Sequence, residues 1–266
     1  MLDRYNRKIN YLRISVTDRC NLRCTYCMPA EGVKLMKHEE ILRFDEIIAT
    51  VKYAASQGVN KIRITGGEPL VKKGIVELVA MIAQIDGITD FGMTTNGVFL
   101  DKYAKQLKDA GLHRVNISLD TMDADKFKAI TRVGNIEDVF RGIEAAKNAG
   151  LTPIKINCVI KKSHDEPDAV EVAKFCKEND LQIRYIHEMN LETGDFSIVE
   201  GGTGGHCAIC NRLRLTANGD IMPCLFSNLK FNIRELGIEE AFAQALMLKP
   251  KSGHIQTEAK FYNIGG

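Results

Sequence analysis

No stretch of this 266-residue chain approaches the ~20 consecutive apolar residues needed to cross a bilayer, which excludes a helical membrane span. The opening Met-Leu-Asp-Arg-Tyr-Asn-Arg-Lys is charged and lacks the apolar core of a signal peptide, so a cytoplasmic protein is expected. Net charge is nearly absent too: 36 basic against 34 acidic residues leave +2, which gives no reason to expect a nucleic acid or a membrane as partner. No internal repeat or low-complexity tract stands out. What remains is an ordinary globular composition, 45% hydrophobic and 26% charged, long enough for one large α/β domain or a domain with an appendage. Against that plain background stand eight cysteines, which in a reducing compartment indicate metal or redox chemistry over disulfides.

Six of the cysteines form two triads. The first is Cys20-Asn-Leu-Arg-Cys24-Thr-Tyr-Cys27, three thiols able to converge on one metal centre. A structural zinc site wants four protein ligands, whereas an iron–sulfur cube on three cysteines keeps one iron open for another ligand; spacing alone does not choose. The second triad is Cys207 and Cys210 with Cys224 further on; His206 could supply a fourth ligand and make that site zinc. Cys158 and Cys176 stand alone and read as small buried hydrophobes.

Strand-like stretches at 11–17, 61–65, 91–95, 114–119, 153–160 and 182–189 alternate with amphipathic helix patterns at 45–56, 71–85, 102–110, 136–149 and 168–179. The last three helices end before Gly111, Gly150 and Asp180, the glycines fitting C-terminal stops. Such alternation implies a parallel sheet with right-handed crossovers. Six units are too few for a closed eight-stranded barrel, so the expected fold is α/β, an open, partial (βα)6 TIM-like barrel. A further helix is expected at 238–248, where Phe242, Leu246 and Met247 serve packing. Within the strands apolar residues alternate with polar ones, and the polar row carries Arg13, Lys61, Arg63, Lys155 and Arg184. Cations buried without partners are costly, so the concave side should be wet and built for an anion, the alternative being a half-exposed sheet with solvated charges.

Ligand sites in such folds lie beyond the carboxyl ends of the strands. The first triad follows the first strand. Gly66-Gly67-Glu68-Pro69 follows the second, its glycines allowing close backbone approach and its carboxylate able to take an ammonium. Thr94-Thr95-Asn96-Gly97, then Ser118 with Asp120, then Glu188-Met189 close later strands at the same rim. Arg212 and Arg214, one strand period apart, would point the same way beside the second triad.

Cys-x-x-x-Cys-x-x-Cys with an aromatic before the last thiol resembles the signature of radical S-adenosylmethionine enzymes. Taken with Leu-Arg-Ile-Ser-Val-Thr-Asp-Arg-Cys-Asn, Lys-Ile-Arg-Ile-Thr-Gly-Gly-Glu-Pro, Thr-Thr-Asn-Gly, Asn-Ile-Ser-Leu-Asp, Cys-Asn-Arg-Leu-Arg-Leu-Thr and the terminal Gly-Gly, the chain resembles the GTP 3′,8-cyclase family of molybdenum cofactor biosynthesis. The resemblance implies a radical-enzyme barrel over residues 1–189 and, over 190–266, an auxiliary-cluster and substrate region with a Gly-Gly tail. It implies one [4Fe–4S] cluster on Cys20, Cys24 and Cys27 and a second on Cys207, Cys210 and Cys224. S-adenosylmethionine would be held by Tyr26, Gly66, Gly67, Glu68, Ser118 and Met189. GTP would be bound by Arg13, Lys61, Arg63, Thr94, Lys155, Arg184, Arg212 and Arg214. Arg13, Gly265 and Gly266 would take part in turnover; without the resemblance the terminal glycines would be assigned nothing. The implied reaction cleaves the cofactor reductively, removes the ribose C3′ hydrogen and joins C3′ to guanine C8, giving (8S)-3′,8-cyclo-7,8-dihydro-GTP. Implied partners are GTP, a low-potential electron donor and a downstream molybdopterin-pathway enzyme; oligomeric state stays open, a homodimer included. Family members carry several dozen more residues where residues 190–206 stand here, and usually phenylalanine in place of His206. That shortening leaves room for a peptide or a different nucleotide as substrate.

Overall fold

The computed structural model describes residues 1–258 and Ile264. Tyr11–Ser15 forms β1, whose Leu12 and Ile14 turn into the core while Arg13 stays partly accessible. There follow α1 (Phe44–Ser56), β2 (Lys61–Thr65), α2 (Ile75–Ala83), β3 (Asp90–Thr95), α3 (Leu100–Asp109), β4 (Arg114–Ser118), α4 (Ala124–Thr131), α5 (Ile136–Asn148), β5 (Lys155–Ile160), α6 (Pro167–Glu178) and β6 (Gln182–His187). The chain continues through β7 (Arg212–Leu215), β8 (Asp220–Met222), β9 (Phe231–Asn232), α7 (Ile233–Leu236) and α8 (Ile238–Met247).

The six expected strands are all present and pair in parallel in the order β6-β5-β4-β3-β2-β1, an open sheet as anticipated. The sheet does not stop at β1. β7 adds to it in parallel and β8 and β9 follow antiparallel, so the segment bearing the second triad is stitched onto the first strand. Among the described residues no helix is long and apolar enough to cross a membrane.

Differences from the sequence reading have local causes. α2 starts at Ile75, four residues later than the periodicity suggests, because Pro69–Val71 forms a separate 3-10 turn and Gly74 takes φ 77° just before the helix. β5 starts at Lys155, past Pro153, which has no N–H to give the ladder. α4 is short, and its start is marked by Asp123, whose side chain accepts from Lys126 N at 2.9 Å. Met247 is 60% exposed and does not pack as expected, whereas Phe242 is buried against Tyr53, ring centroids 5.3 Å apart. Cys158 and Cys176 are buried, as read.

Register positions the site. Tyr11 stands between Lys61 on β2 and Arg212 on β7; two residues along, Arg13 stands between Arg63 and Arg214. Side chains two apart on a strand share a face and neighbouring strands lie ~4.8 Å apart, so these six residues form two adjacent rows on one side of the sheet. The second row extends through Gly92 on β3 to Arg114 on β4. Like charges directly opposite each other destabilise a sheet, and three guanidinium groups in line are unfavourable in the absence of an anion.

Candidate active site

The concave face holds two adjoining chambers that share Asn157, Ile186 and Met189 as common wall. The first chamber is lined by Cys20, Cys24, Cys27, Tyr26, Gly66, Gly67, Glu68, Ser118 and Met189. The second is lined by Arg13, Lys61, Arg63, Arg184, Arg212 and Arg214 together with Cys207, Cys210 and Cys224. The two triads therefore flank one divided cavity, with the basic rows on the side of the second.

In the first chamber the thiol loop is pinned by the C-terminal end of α4. Arg23 N donates to Thr131 O at 3.1 Å and Thr25 N to Ile130 O at 2.9 Å, so the end of α4 holds the loop; Arg132, just beyond, donates to Met28 O at 2.9 Å. Burial pushes Cys24 and Cys27 up to about 12, and the neighbouring thiols add to the shift. Three mutually repelling thiolates call for a positive centre, and their one-sided approach to an open chamber fits a cluster with a further ligand position. Among the described residues no three His, Cys, Asp or Glu side chains converge closely enough to hold a single metal ion.

Beside the thiols the glycine pair runs tightly against the backbone after β1. A Cβ on Gly67 would lie 2.3 Å from Arg19 O, and Gly67 N donates to Thr17 O at 2.8 Å. Glu68, 1% exposed, accepts from Leu70 N at 3.0 Å and Thr95 Oγ1 at 2.7 Å on one oxygen and Asn96 N at 2.7 Å on the other. Burial outweighs these bonds and raises it to about 7, so an ammonium at its lining oxygen would be favourable. Tyr26 is 37% exposed, its hydroxyl donating to Asp120 Oδ2 at 2.8 Å.

In the second chamber Arg63 is only 2% exposed. Its Nη1 donates to Asn116 Oδ1 at 2.8 Å, while its Nε and that of Arg212 are buried without a partner among the described residues. The solvated-charge alternative is thereby excluded for Arg63. Gly92 makes the space, since a Cβ there would meet Arg63 Nη1 at 2.7 Å. Burial first, then Arg13 and Arg212, push Arg214 down to about 9; burial first, then Arg184, Arg114, Arg63 and Lys61, push Lys155 down to about 8. Lys61 is already satisfied: its ammonium is 2.9 Å from Asp90 Oδ2 and 4.9 Å from the Tyr11 ring centroid, and Asp90 also pairs with Arg114. At the second triad burial would raise Cys210, but Lys249, the Arg212 N–H and the Arg212 charge hold it below the usual thiol range.

Thr94, expected among the GTP-binding residues, lines the first chamber instead: it stands two residues beyond Gly92, the register partner of Arg63, and so one side-chain row nearer the strands' carboxyl ends. Gly265 and Gly266 lie outside the described residues; Ile264 before them is buried with Leu191, Met222 and Phe226. Sequence reading passed over Tyr11, which sits on the polar face of β1 at the centre of the first row. Burial alone would raise its phenol, but Arg13, Arg63 and Arg212 pull it to about 7. Asn116 and Asn157, on the polar faces of β4 and β5, were in the right period but carry no charge to attract notice. Gly92 left no signal except a glycine inside a strand.

The sequence profile described as the radical SAM superfamily matches residues 14–176. A Thermodesulfovibrio yellowstonii protein named GTP 3′,8-cyclase is 41% identical over 322 aligned positions covering 100% of this chain and 100% of that protein. One of the same name from Moorella thermoacetica is 41% identical over 310 positions, 96% of each. At 266 residues this chain is shorter than the 322 positions of the first alignment. Among solved structures, Streptococcus suis SuiB bound to S-adenosylmethionine superposes with a TM-score of 0.63 at 17% identity over 86% of this chain and 64% of SuiB, so this chain spans just under two thirds of it. Native anSMEcpe with bound AdoMet gives 0.62 at 19% identity over 87% of this chain and 80% of that one; at such identities the likeness concerns the fold. By sequence, this chain belongs to the radical SAM superfamily and, within it, to the GTP 3′,8-cyclase family of enzymes.

Proposed function

We propose that the chain converts GTP to (8S)-3′,8-cyclo-7,8-dihydro-GTP in the cytoplasm, as a step of molybdenum cofactor biosynthesis. The observation that carries this is the pair of register-aligned basic rows lining, together with the second thiol triad, a chamber that adjoins the first. Residues 1–189 act as the radical-generating barrel and carry part of the basic face, while 190–266 carry the auxiliary-cluster triad and the rest of the substrate site. S-adenosylmethionine and a [4Fe–4S] cluster on Cys20, Cys24 and Cys27, when bound, supply the hydrogen-abstracting radical.

The chain's own residues do the rest by placement. Gly66, Gly67 and Glu68 receive the amino-acid end of the cofactor, while Tyr26, Ser118 and Met189 line its chamber. Arg13, Arg63, Arg184, Arg212 and Arg214, with Lys155, receive the triphosphate, whose charge relieves their mutual repulsion. Arg13, central to both neighbours in register, holds the phosphates during turnover, with Gly265 and Gly266 completing the site. Lys61 acts through Tyr11 and Asp90, and Thr94 faces the boundary with the cofactor. Cys207, Cys210 and Cys224 would hold a second [4Fe–4S] cluster, which when bound would supply a Lewis-acidic site for the guanine base. Asn157, Ile186 and Met189 bring the two bound molecules together and keep water from the reacting carbon.

The short 190–206 segment favours a second reading, a peptide or a different nucleotide as substrate, which does not account for the buried Arg63. Reduced, reconstituted protein given GTP and S-adenosylmethionine should form the cyclic nucleotide; 5′-deoxyadenosine release with GTP unchanged would overturn the assignment.

A further inference from the structure

We propose that Lys249 is the fixed counter-ion of the second thiol triad and sets how readily a cluster held there accepts an electron. The inference rests on the reading that Cys207, Cys210 and Cys224 hold an iron–sulfur cluster.

Lys249 follows α8 and is 1% exposed, one of the largest fully buried side chains in the protein. Its ammonium donates to Arg212 O at 2.8 Å and to Pro223 O. Arg212 lies two residues beyond Cys210, and Pro223 immediately precedes Cys224. The charge is thus set between the two backbone segments that present those sulfurs, and it acts on both. Among the described residues it has no carboxylate partner; its electrostatic neighbours are Cys210, Cys224 and Arg7. Arg7 braces the same region, donating to Cys207 O at 2.7 Å, Lys251 O at 3.0 Å and Pro250 O at 2.7 Å, but Asp3 at 2.6 Å neutralises it. Lys249 is left as a buried positive charge whose acidic neighbours, among the described residues, are the thiols of Cys210 and Cys224.

Carbonyl dipoles solvate an ammonium without neutralising it, and an uncompensated buried charge is strongly unfavourable. The negative charge that completes the arrangement is that of the cysteine thiolates. A cluster ligated by three thiolates becomes more negative on reduction, so a nearby fixed cation favours the reduced form and raises the potential. Hydrogen bonding alone would need only a neutral donor; a charge-setting role needs the cation.

The full chain carrying Cys20→Ala, Cys24→Ala and Cys27→Ala isolates the second cluster, which is reconstituted anaerobically and titrated redox-wise by electron paramagnetic resonance. Lys249→Gln, which keeps a donor and removes the charge, should disfavour reduction at least tenfold, a downward shift of about 59 mV for one electron. Lys249→Arg should restore the potential. A loaded Lys249→Gln protein with unchanged potential overturns the proposal. If Lys249→Gln takes up no iron, thermal unfolding of the metal-free proteins decides: equal unfolding temperatures support a charge required for assembly, and a fall overturns it in favour of a structural brace. Absence of any cluster with Lys249 intact refutes the cluster reading itself, and this inference with it.

Discussion

Replacing Tyr11 by phenylalanine should change how nucleotide binding depends on pH while leaving binding at acidic pH nearly intact. Tyr11 sits between Lys61 and Arg212 in register, with Arg13 Nη1 3.4 Å from its hydroxyl, and its phenol is drawn to about 7 from an ordinary 10.0. Above pH 7 the phenolate neutralises part of the basic rows. A triphosphate placed on the same arginines supplies that charge instead and drives the phenol back toward its ordinary value, so binding takes up a proton. Between pH 7 and the restored pKa, affinity should fall about tenfold per pH unit, since one unit corresponds to 1.36 kcal/mol. At pH 8.5 the accumulated penalty is about 2 kcal/mol, roughly 30-fold. Tyr11→Phe removes it, so the variant should bind GTP about 30-fold more tightly than wild type at pH 8.5 relative to their ratio at pH 6. Lys155, held at about 8 by burial and its cationic neighbours, weakens binding above pH 8 in both proteins and cancels in the ratio. Calorimetry of GTP binding to reconstituted protein, repeated in buffers of different ionisation enthalpy, measures affinity and proton uptake together. Parallel pH profiles for the two proteins would refute the reasoning.

Gly92→Ala places a methyl group 2.7 Å from Arg63 Nη1 and should weaken GTP binding at least tenfold with S-adenosylmethionine binding retained; equilibrium dialysis with each ligand separates the two. Gly67→Ala drives a methyl into the Arg19 carbonyl and should do the reverse, abolishing S-adenosylmethionine binding while GTP still binds. Asp90→Asn removes the partner of both Lys61 and Arg114 and should cost about 1–3 kcal/mol of stability at neutral pH, read by denaturant unfolding. Although burial opposes it, bonds from Arg114 and Lys61 hold the Asp90 carboxyl below its ordinary 3.8, so its contribution is present above pH 3.8 and is lost as pH falls through the lower folded value. The Asn variant should therefore show a shallower loss of stability in acid.

Much of this site could be read from the chain because strand periodicity and charge are both written locally. Lys61, Arg63 and the alternation around Arg13 place cations on one face without knowledge of neighbours, and the glycine pair and thiol spacings fall at strand ends. What escaped depended on register between distant segments. Nothing local says that Arg212-Leu-Arg214 pairs with Tyr11-Leu-Arg13, so Tyr11 becomes a central residue only once β7 lies beside β1. α4 was passed over because eight residues with few buried side chains give a weak period, yet its end fastens the first thiol loop. Nothing local marks Lys249, whose burial comes from packing against segments 26 and 37 residues away.

The most direct test is anaerobic single-turnover incubation of the reduced, fully reconstituted protein with S-adenosylmethionine and GTP carrying deuterium at ribose C3′. Deuterium appearing in 5′-deoxyadenosine in step with cyclic nucleotide would show that the cofactor bound at Cys20, Cys24 and Cys27 reaches a nucleotide gripped by the basic rows. Deoxyadenosine formed without deuterium while GTP occupies the second chamber would contradict it.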